Sequence, residues 1–371
     1  MDTTATGGRV GVIGCGNISK AYAEKLSALQ DMTLIACADL DPARAREFAA
    51  RHHVPLVLTP ETLVEHPDVD VVLNLTVPVA HAGVTRAALR AGKHVYSEKP
   101  LAIDYADGRM LVDQARERNV RLGCAPDTFL GAGLQTCREL LDAGVIGAPL
   151  AANAFFRSSG PESWHPNPEF FYKRGAGPLF DVGVYYLTAL VALLGPVSRI
   201  TGSARISRAR REITSQPLAG TWIDVEVPTH VGVIAEHESG PVSTLVASFD
   251  VPASRSPYIE IYGTEATLSV PDPNTFGGPV QIRRNGDKDW TDLPLTHANA
   301  SQSRGLGLAD MVRAERNHRP HRASGDLALH VLELMERAIA SSDTGRHQTI
   351  ESRVERPAPL PAGLADDETG D

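Results

Sequence analysis

Between residues 9 and 123, short apolar runs alternate with helix-patterned stretches, and the first run ends in glycines. No other feature constrains the chain as strongly. Strands at 9–13, 33–38, 56–58, 69–75, 93–96 and 120–123, with helical segments such as 80–91 and 104–118 between them, predict a parallel, doubly wound α/β sheet. The right-handed crossover rule makes that sheet Rossmann-like. After residue 126 the rhythm changes. A helix at 134–143, a strand at 151–156 and a helix at 178–194 precede five short strands, at 229–236, 242–249, 258–262, 266–270 and 280–283. Without long helices between them, these predict a large, mostly antiparallel sheet. Helical periodicity returns at 306–317 and 326–341.

The turn after the first strand reads Gly14-Cys15-Gly16-Asn17-Ile18-Ser19. Gly14 permits the tight turn, and Gly16 removes the side chain that would block a pyrophosphate. Backbone N–H groups of Asn17 and Ile18, at the start of the next helix, can then bind phosphate. Ser19 stands where a third glycine or alanine is usual. Asp39 ends the second strand, twenty-five residues after Gly14. A carboxylate there accepts hydrogen bonds from an adenosine ribose and repels a 2′-phosphate, which favours NAD over NADP. Arg44, if turned inward, keeps NADP open. Ligands of open α/β sheets sit at carboxyl strand ends, so Thr76 and Pro78 are expected to line the cofactor groove, with His81 beside them or packing the helix. The expected organisation is a disordered tail at 1–8, a dinucleotide-binding domain at 9–126, a substrate and oligomerisation domain at 127–350, and a Pro/Ala/Asp/Gly-rich disordered tail at 351–371.

Composition narrows the function classes. A net charge of −9 over 371 residues argues against nucleic acid as main partner. The one dense basic run, Arg205, Arg208, Arg210 and Arg211, reads as a solvated edge. Cys15, Cys37, Cys124 and Cys137 are widely spaced, which suits buried free thiols in a reducing compartment better than disulfides or a metal site. The chain shows no signal core and no apolar stretch of membrane-spanning length, so the expected setting is cytoplasmic, with a small-molecule substrate and no membrane partner.

Two strings together, Gly14-x-Gly16 and Glu98-Lys99-Pro100-Leu101-Ala102 after the fifth strand, resemble the Gfo/Idh/MocA oxidoreductase family. A third, running from Gly175-Ala176-Gly177 through Asp181 to Tyr185, is similar to that family's Gly-Gly-Gly-x-x-x-Asp-x-Gly-x-His signature. The resemblance implies an N-terminal Rossmann domain and a C-terminal α/β domain. It also implies a homodimer or homotetramer formed through the C-terminal sheet, and sugar, cyclitol or related polyol substrates. It places Lys99 beside substrate and nicotinamide, within a cofactor-binding Glu98-Lys99-Pro100 segment, and turns Asp181 and Tyr185 to the substrate. Tyr185 occupies the usual histidine position. A phenol near an ammonium has its phenolate favoured and can take a hydroxyl proton. Tyr185 is alternatively a core residue, and a one-residue shift gives its role to Tyr186.

Trp164-His165 could form a stacking platform for a sugar, with His165 replacing the absent histidine, or an interface loop. Asp127 could bind substrate hydroxyls or cap the coming helix. Two other activities remain open at this level: a glycosidase of the same fold that retains its NAD, and a non-enzymatic dinucleotide-binding regulator.

Overall fold

The computed structural model describes residues 8–366 and 368–370. Along the chain come β1 (Gly8–Ile13), α1 (Ser19–Ala28), β2 (Met32–Ala38), α2 (Pro42–His52), β3 (Leu56–Leu58), α3 (Pro60–Glu65), β4 (Val71–Asn74), α4 (Pro78–Arg90), β5 (His94–Ser97), α5 (Tyr105–Glu117) and β6 (Leu122–Cys124). Then follow α6 (Ala132–Asp142), β7 (Pro149–Arg157), α7 (Val184–Leu194), β8 (Val197–Arg205), β9 (Arg210–Glu212), β10 (Trp222–Asp224), β11 (His230–His237) and β12 (Val242–Ser248). The last elements are β13 (Ile259–Gly263), β14 (Ala266–Val270), β15 (Val280–Arg284), β16 (Thr291–Leu293), α8 (Leu306–Arg316), α9 (Gly325–Thr344) and β17 (Gln348–Thr349).

The first compact unit comprises the described residues up to Gly131, His297–Leu329 and the described residues from Leu360 onward. Its six strands run parallel in the order β3-β2-β1-β4-β5-β6. Chain order reverses between β1 and β4, which makes the carboxyl ends of those two strands the switch point where such sheets bind ligands. Local chemistry starts the helices. Asp41 caps α2 by accepting from Ala43 N at 2.9 Å, with Pro42 in the first turn. Thr59 and Thr62 form a reciprocal capping box on α3. Ile13, Leu63, Val72, Leu89, Val95 and Leu111 form the buried apolar layer between sheet and helices.

The second unit comprises Ala132–Thr296 and His330–Pro359. Its nine-stranded sheet has the order β16-β15-β14-β13-β7-β12-β11-β8-β17, and every pairing is antiparallel except β7 with β12. Alternation along the strands buries Val231, Val233 and Ala235 of β11 on one face. The other face carries a row in direct register across the sheet: Thr201, Ile234, Thr244, Asn153, Glu260, Ser269 and Gln281. Helix α7 is buried along its whole length. A two-stranded ribbon, β9 with β10, stands apart from the sheet.

The chain departs from the expected division in three places. The single break at residue 126 becomes a discontinuous one, because α8 and the start of α9 pack on β6. Cys124 N donates to Ala323 O at 3.0 Å, and Leu329 joins the same apolar core. The described residues from 351 onward form no helix, but they are tied down rather than disordered. Ser352 N donates to Glu333 at 2.8 Å, Arg356 reaches Asp142 at 2.7 Å, and Asn299 N donates to Asp366 at 2.5 Å. Of the expected N-terminal tail, residues 1–7 lie outside the described residues and Gly8 opens β1. The basic run is not wholly solvated either. Arg211 is buried, with Nε 2.7 Å from Glu162 and Nη1 3.1 Å from Asp250. Among the described residues no helix is long and apolar enough to cross a membrane.

Candidate active site

The glycine turn is built by backbone constraints. Gly14 sits at φ +100°, and a Cβ there would lie 2.6 Å from the Leu75 carbonyl, so no other residue fits without shifting the end of β4. Gly16 is the opposite case, with nothing within 4 Å of where its Cβ would stand. That open front is what a pyrophosphate needs. Ser19 works in the third position because its hydroxyl turns back on Gly16 O at 2.6 Å, leaving the side chain buried and satisfied. Ile18, the N-cap of α1, has no polar side chain to cap the helix, and its first turn holds no acidic residue. The leading N–H groups and the positive end of the helix dipole therefore suit an anion. These features fit the phosphates of a dinucleotide.

Asp39 is fastened to the same turn. Its Oδ2 accepts from Cys15 N at 2.8 Å and its Oδ1 from Asp41 N at 2.9 Å. Each carboxylate oxygen keeps a further lone pair for a ribose hydroxyl. A cleft of about 650 Å³ opens beside the turn, lined among others by Asn17, Lys20, Arg44, Glu47 and Arg51. Its cations already have carboxylate neighbours: Arg51 with Glu47 at 2.7 Å, Lys20 with Glu24 at 3.7 Å, and Arg44 with Asp41 at 4.0 Å. Leu40, Val77 and Val79 are exposed apolar residues at the ends of β2 and β4. Their positions suit a base, and polarity patterns alone did not single them out.

The β4 end is organised by Asn74, which the sequence reading passed over. It is fully buried, and its carboxamide is saturated. Oδ1 accepts from Thr76 Oγ1 at 2.7 Å and Thr76 N at 3.3 Å, while Nδ2 donates to His81 O and Thr85 Oγ1, both at 3.1 Å. An amide closing an otherwise apolar strand was the available signal. Thr76 is thereby fixed at the groove, and Pro78 begins α4. His81 does not line the groove. It is 1% exposed, with Nδ1 2.7 Å from Pro100 O and Nε2 3.0 Å from Thr76 O.

At the end of β5, Glu98 also turns inward. Its Oε1 accepts from Tyr22 Oη at 2.9 Å and its Oε2 from Lys99 N at 3.0 Å. Glu98 therefore holds the backbone that carries Lys99, and each of its carboxylate oxygens keeps a further lone pair. Lys99 is half-buried, and the Lys99–Pro100 peptide is cis. Asp127 is a second correction. It is 1% exposed, and its Oδ2 accepts from Gly305 N at 2.8 Å and Gly307 N at 3.0 Å, so it caps α8, far along the chain, rather than meeting substrate hydroxyls. Burial raises its carboxyl pKa, and the two N–H donors oppose that.

In the second unit, Gly175 and Gly177 take φ of +85° and +83° before Pro178. Asp181 lies in a π-helical stretch, Leu179–Gly183, that runs into α7, and Tyr185 falls in the first turn of α7. Four residues apart, the two share a helical face. Widened turns of this kind recur at functional sites. Tyr186 is fully buried and donates to Asp272 Oδ1 at 3.4 Å, which excludes it from a substrate-facing role. Trp164 is 66% exposed and His165 half-buried, in a loop that Arg211 and Glu162 anchor. His165 Nδ1 accepts from Asn167 N at 3.0 Å, and its ring meets Trp164 edge-on at 5.4 Å.

Comparison with known proteins gives this arrangement its family. Residues 8–125 match the GFO/IDH/MocA oxidoreductase family, NAD-binding Rossmann fold, and residues 134–269 match the C-terminal domain of the same family. A dTDP-3,4-didehydro-2,6-dideoxy-alpha-D-glucose 3-reductase of Saccharopolyspora spinosa is 32% identical over 77% of this chain and 82% of that one. The chain belongs to the Gfo/Idh/MocA oxidoreductase family. Inositol 2-dehydrogenase 3 of Saccharopolyspora erythraea, another relative, is 29% identical over 76% of this chain and 79% of its own. The fold agrees with that of an NAD binding oxidoreductase from Klebsiella pneumoniae, at a TM-score of 0.82 and 23% identity, covering 94% of this chain and 100% of that one. This Gfo/Idh/MocA member is an NAD(P)-dependent dehydrogenase/reductase.

Proposed function

We propose that the enzyme interconverts a secondary alcohol and a ketone on a sugar, cyclitol or related polyol, using NAD in preference to NADP. The observation that carries this reading is Lys99, held at the β5 end of a dinucleotide-binding sheet by the Glu98 clamp. Relatives that act on a dideoxy sugar nucleotide and on inositol support the substrate class. Asp39, with the cations of the neighbouring cleft already beside carboxylates, supports NAD.

When bound, the nicotinamide accepts or returns the hydride. The chain's own residues deal with the proton and with orientation. Lys99 and Tyr185 take the hydroxyl proton during oxidation and return it during reduction. Asp181, on the same helical face as Tyr185, orients the substrate. Trp164 offers an apolar face for a sugar ring.

Self-association through the nine-stranded sheet belongs to the same proposal. Its uncovered face carries Ile234, 48% exposed, within a row of small and polar residues. Light scattering on the purified protein would show a dimer or tetramer, and a monomer at micromolar concentration would remove this part.

The deciding experiment is a panel of cyclitols, sugars and sugar nucleotides incubated with NAD+ or NADP+ and followed at the reduced-nicotinamide absorbance, with ketones and NADH or NADPH for the reverse direction. Turnover of a polyol with NAD+ supports the reading. Activity confined to NADP+, or to substrates without a polyol, overturns it.

A further inference from the structure

His81 is the buried ring that the cofactor groove does not use, and it lies between two strand ends. Its Nδ1 is 2.7 Å from the carbonyl of Pro100 and its Nε2 is 3.0 Å from the carbonyl of Thr76. The Asn74 carboxamide donates to the His81 backbone carbonyl at 3.1 Å, which fixes the helix turn that carries the ring. We propose that His81 is a positioning residue for Lys99: its imidazole joins the carbonyl next to the lysine to the carbonyl at the end of β4, so that the lysine and the wall of the cofactor groove are held as one piece. This inference rests on the reading of Lys99 as the acid–base residue.

Both partners of the ring are acceptors, and that makes the strut depend on protons. A neutral imidazole has one N–H and can serve one carbonyl. The shorter contact, Nδ1 to Pro100, takes it, and Nε2 then points a lone pair at the Thr76 oxygen. An imidazolium serves both. Burial is the largest influence on the ring and disfavours the charged form; the Pro100 and Thr76 carbonyls and Glu98 favour it, and Lys99 opposes it. Elsewhere on these elements, Arg86 on α4 and Asp107 on α5 pair with each other at 2.9 Å. The second arm of the strut therefore closes on the acid side of the ordinary histidine range, while the arm to Pro100 persists at neutral pH.

The test compares the wild type with His81→Phe, which has no donor, and His81→Gln, whose amide keeps one. The primary readout is the rate at which trinitrobenzenesulfonate labels Lys99, located by peptide mass spectrometry, between pH 5 and 9 with NAD+ present. His81→Phe is expected to change that rate about fivefold, the scale of one lost hydrogen bond. With each rate divided by that of the exposed Lys288 in the same digest, which removes the lysine's own ionisation, His81→Gln is expected to label like the wild type at pH 8 and to lack the acid-side change that the wild type shows. Labelling unchanged in both variants, or shifted equally in both, overturns the proposal. If His81→Phe does not fold, the His81→Gln profile decides alone: an acid-side change retained there overturns the inference, and its loss supports it. With a polyol that turns over, His81→Phe lowers kcat more than it raises KM, and the reverse split counts against the proposal. Labelling needs no substrate, so a polyol panel without turnover would sink the substrate reading and leave this test intact.

Discussion

The carboxyl edge of the parallel sheet and the start of α7 hold their functional residues in different ways. At the sheet edge, candidate side chains are tied to their own backbone: Asp39 to Cys15 N, Asn74 to Thr76, and Glu98 to Lys99 N. Gly14 acts through shape alone, since its φ and the nearby Leu75 carbonyl leave no room for a side chain. At the start of α7 the backbone is a widened helical turn, and the proposed chemistry rests on side-chain identity, with Asp181 and Tyr185 one turn apart. The contrast teaches that changes at the sheet edge should alter cofactor binding and local stability together. Changes at the head of α7 should alter turnover and leave the fold intact.

Lys99→Met is the largest expected break in that contrast, because it removes chemistry from the sheet edge without touching the clamp. Turnover should fall by about 10²–10⁴-fold, the span of general acid–base contributions, with NAD+ affinity nearly kept. Tyr185→Phe should fall by about tenfold to a hundredfold with an unchanged melting temperature. Steady-state kinetics on both variants checks this, and if each stays within about threefold of wild type the proton assignment fails.

Gly14→Ala should cost about 2–3 kcal/mol in chemical denaturation and weaken NAD+ binding in calorimetry, since left-handed φ and a backbone collision act together. A variant as stable as wild type would show that the turn tolerates a side chain.

Acid should weaken each unit in the same way. His321 in the first and His330 in the second are both buried and held neutral, with pKa values lowered to about 4, chiefly by burial. His330 Nε2 accepts from Val197 N at 3.1 Å, a bond that needs the unprotonated ring. A pKa lower in the folded than in the unfolded chain gives stability that is full above the ordinary value of about 6.5 and lost as pH falls toward 4. At pH 5 the loss per histidine is on the order of 1–2 kcal/mol. Melting curves of His330→Gln and His321→Gln from pH 7 to 4 should each be flatter than wild type; parallel curves would remove the assignment.

The smallest expected change is at Asp39. Asp39→Ser should move the NAD/NADP preference about tenfold toward NADP, equal to about 1.4 kcal/mol. Paired KM measurements read it, and an unmoved ratio would mean that the carboxylate serves only the turn.

Much of this was legible in the chain. The parallel sheet followed from strand and helix periodicity, and Gly14, Gly16 and Asp39 from spacing within one crossover unit, because those constraints are local. The inward turns of Glu98, His81 and Asp127 were not legible. Each is settled by a partner distant in sequence: Tyr22, Pro100, and the turn at Gly305 and Gly307. Arg211 was hidden in a run that looked like surface, because its partners Glu162 and Asp250 lie about forty to fifty residues away. Tyr185 and Tyr186 are neighbours of one chemical type, and only packing against Asp272 separates them.

By itself the sequence determined the doubly wound sheet, the phosphate-binding turn and the lysine at the β5 end, since each depends on the order of residues within a short stretch of chain. Tertiary structure decided which polar groups face ligand and which face inward. A buried carboxylate or imidazole takes its role from whichever backbone groups the fold brings within hydrogen-bond reach.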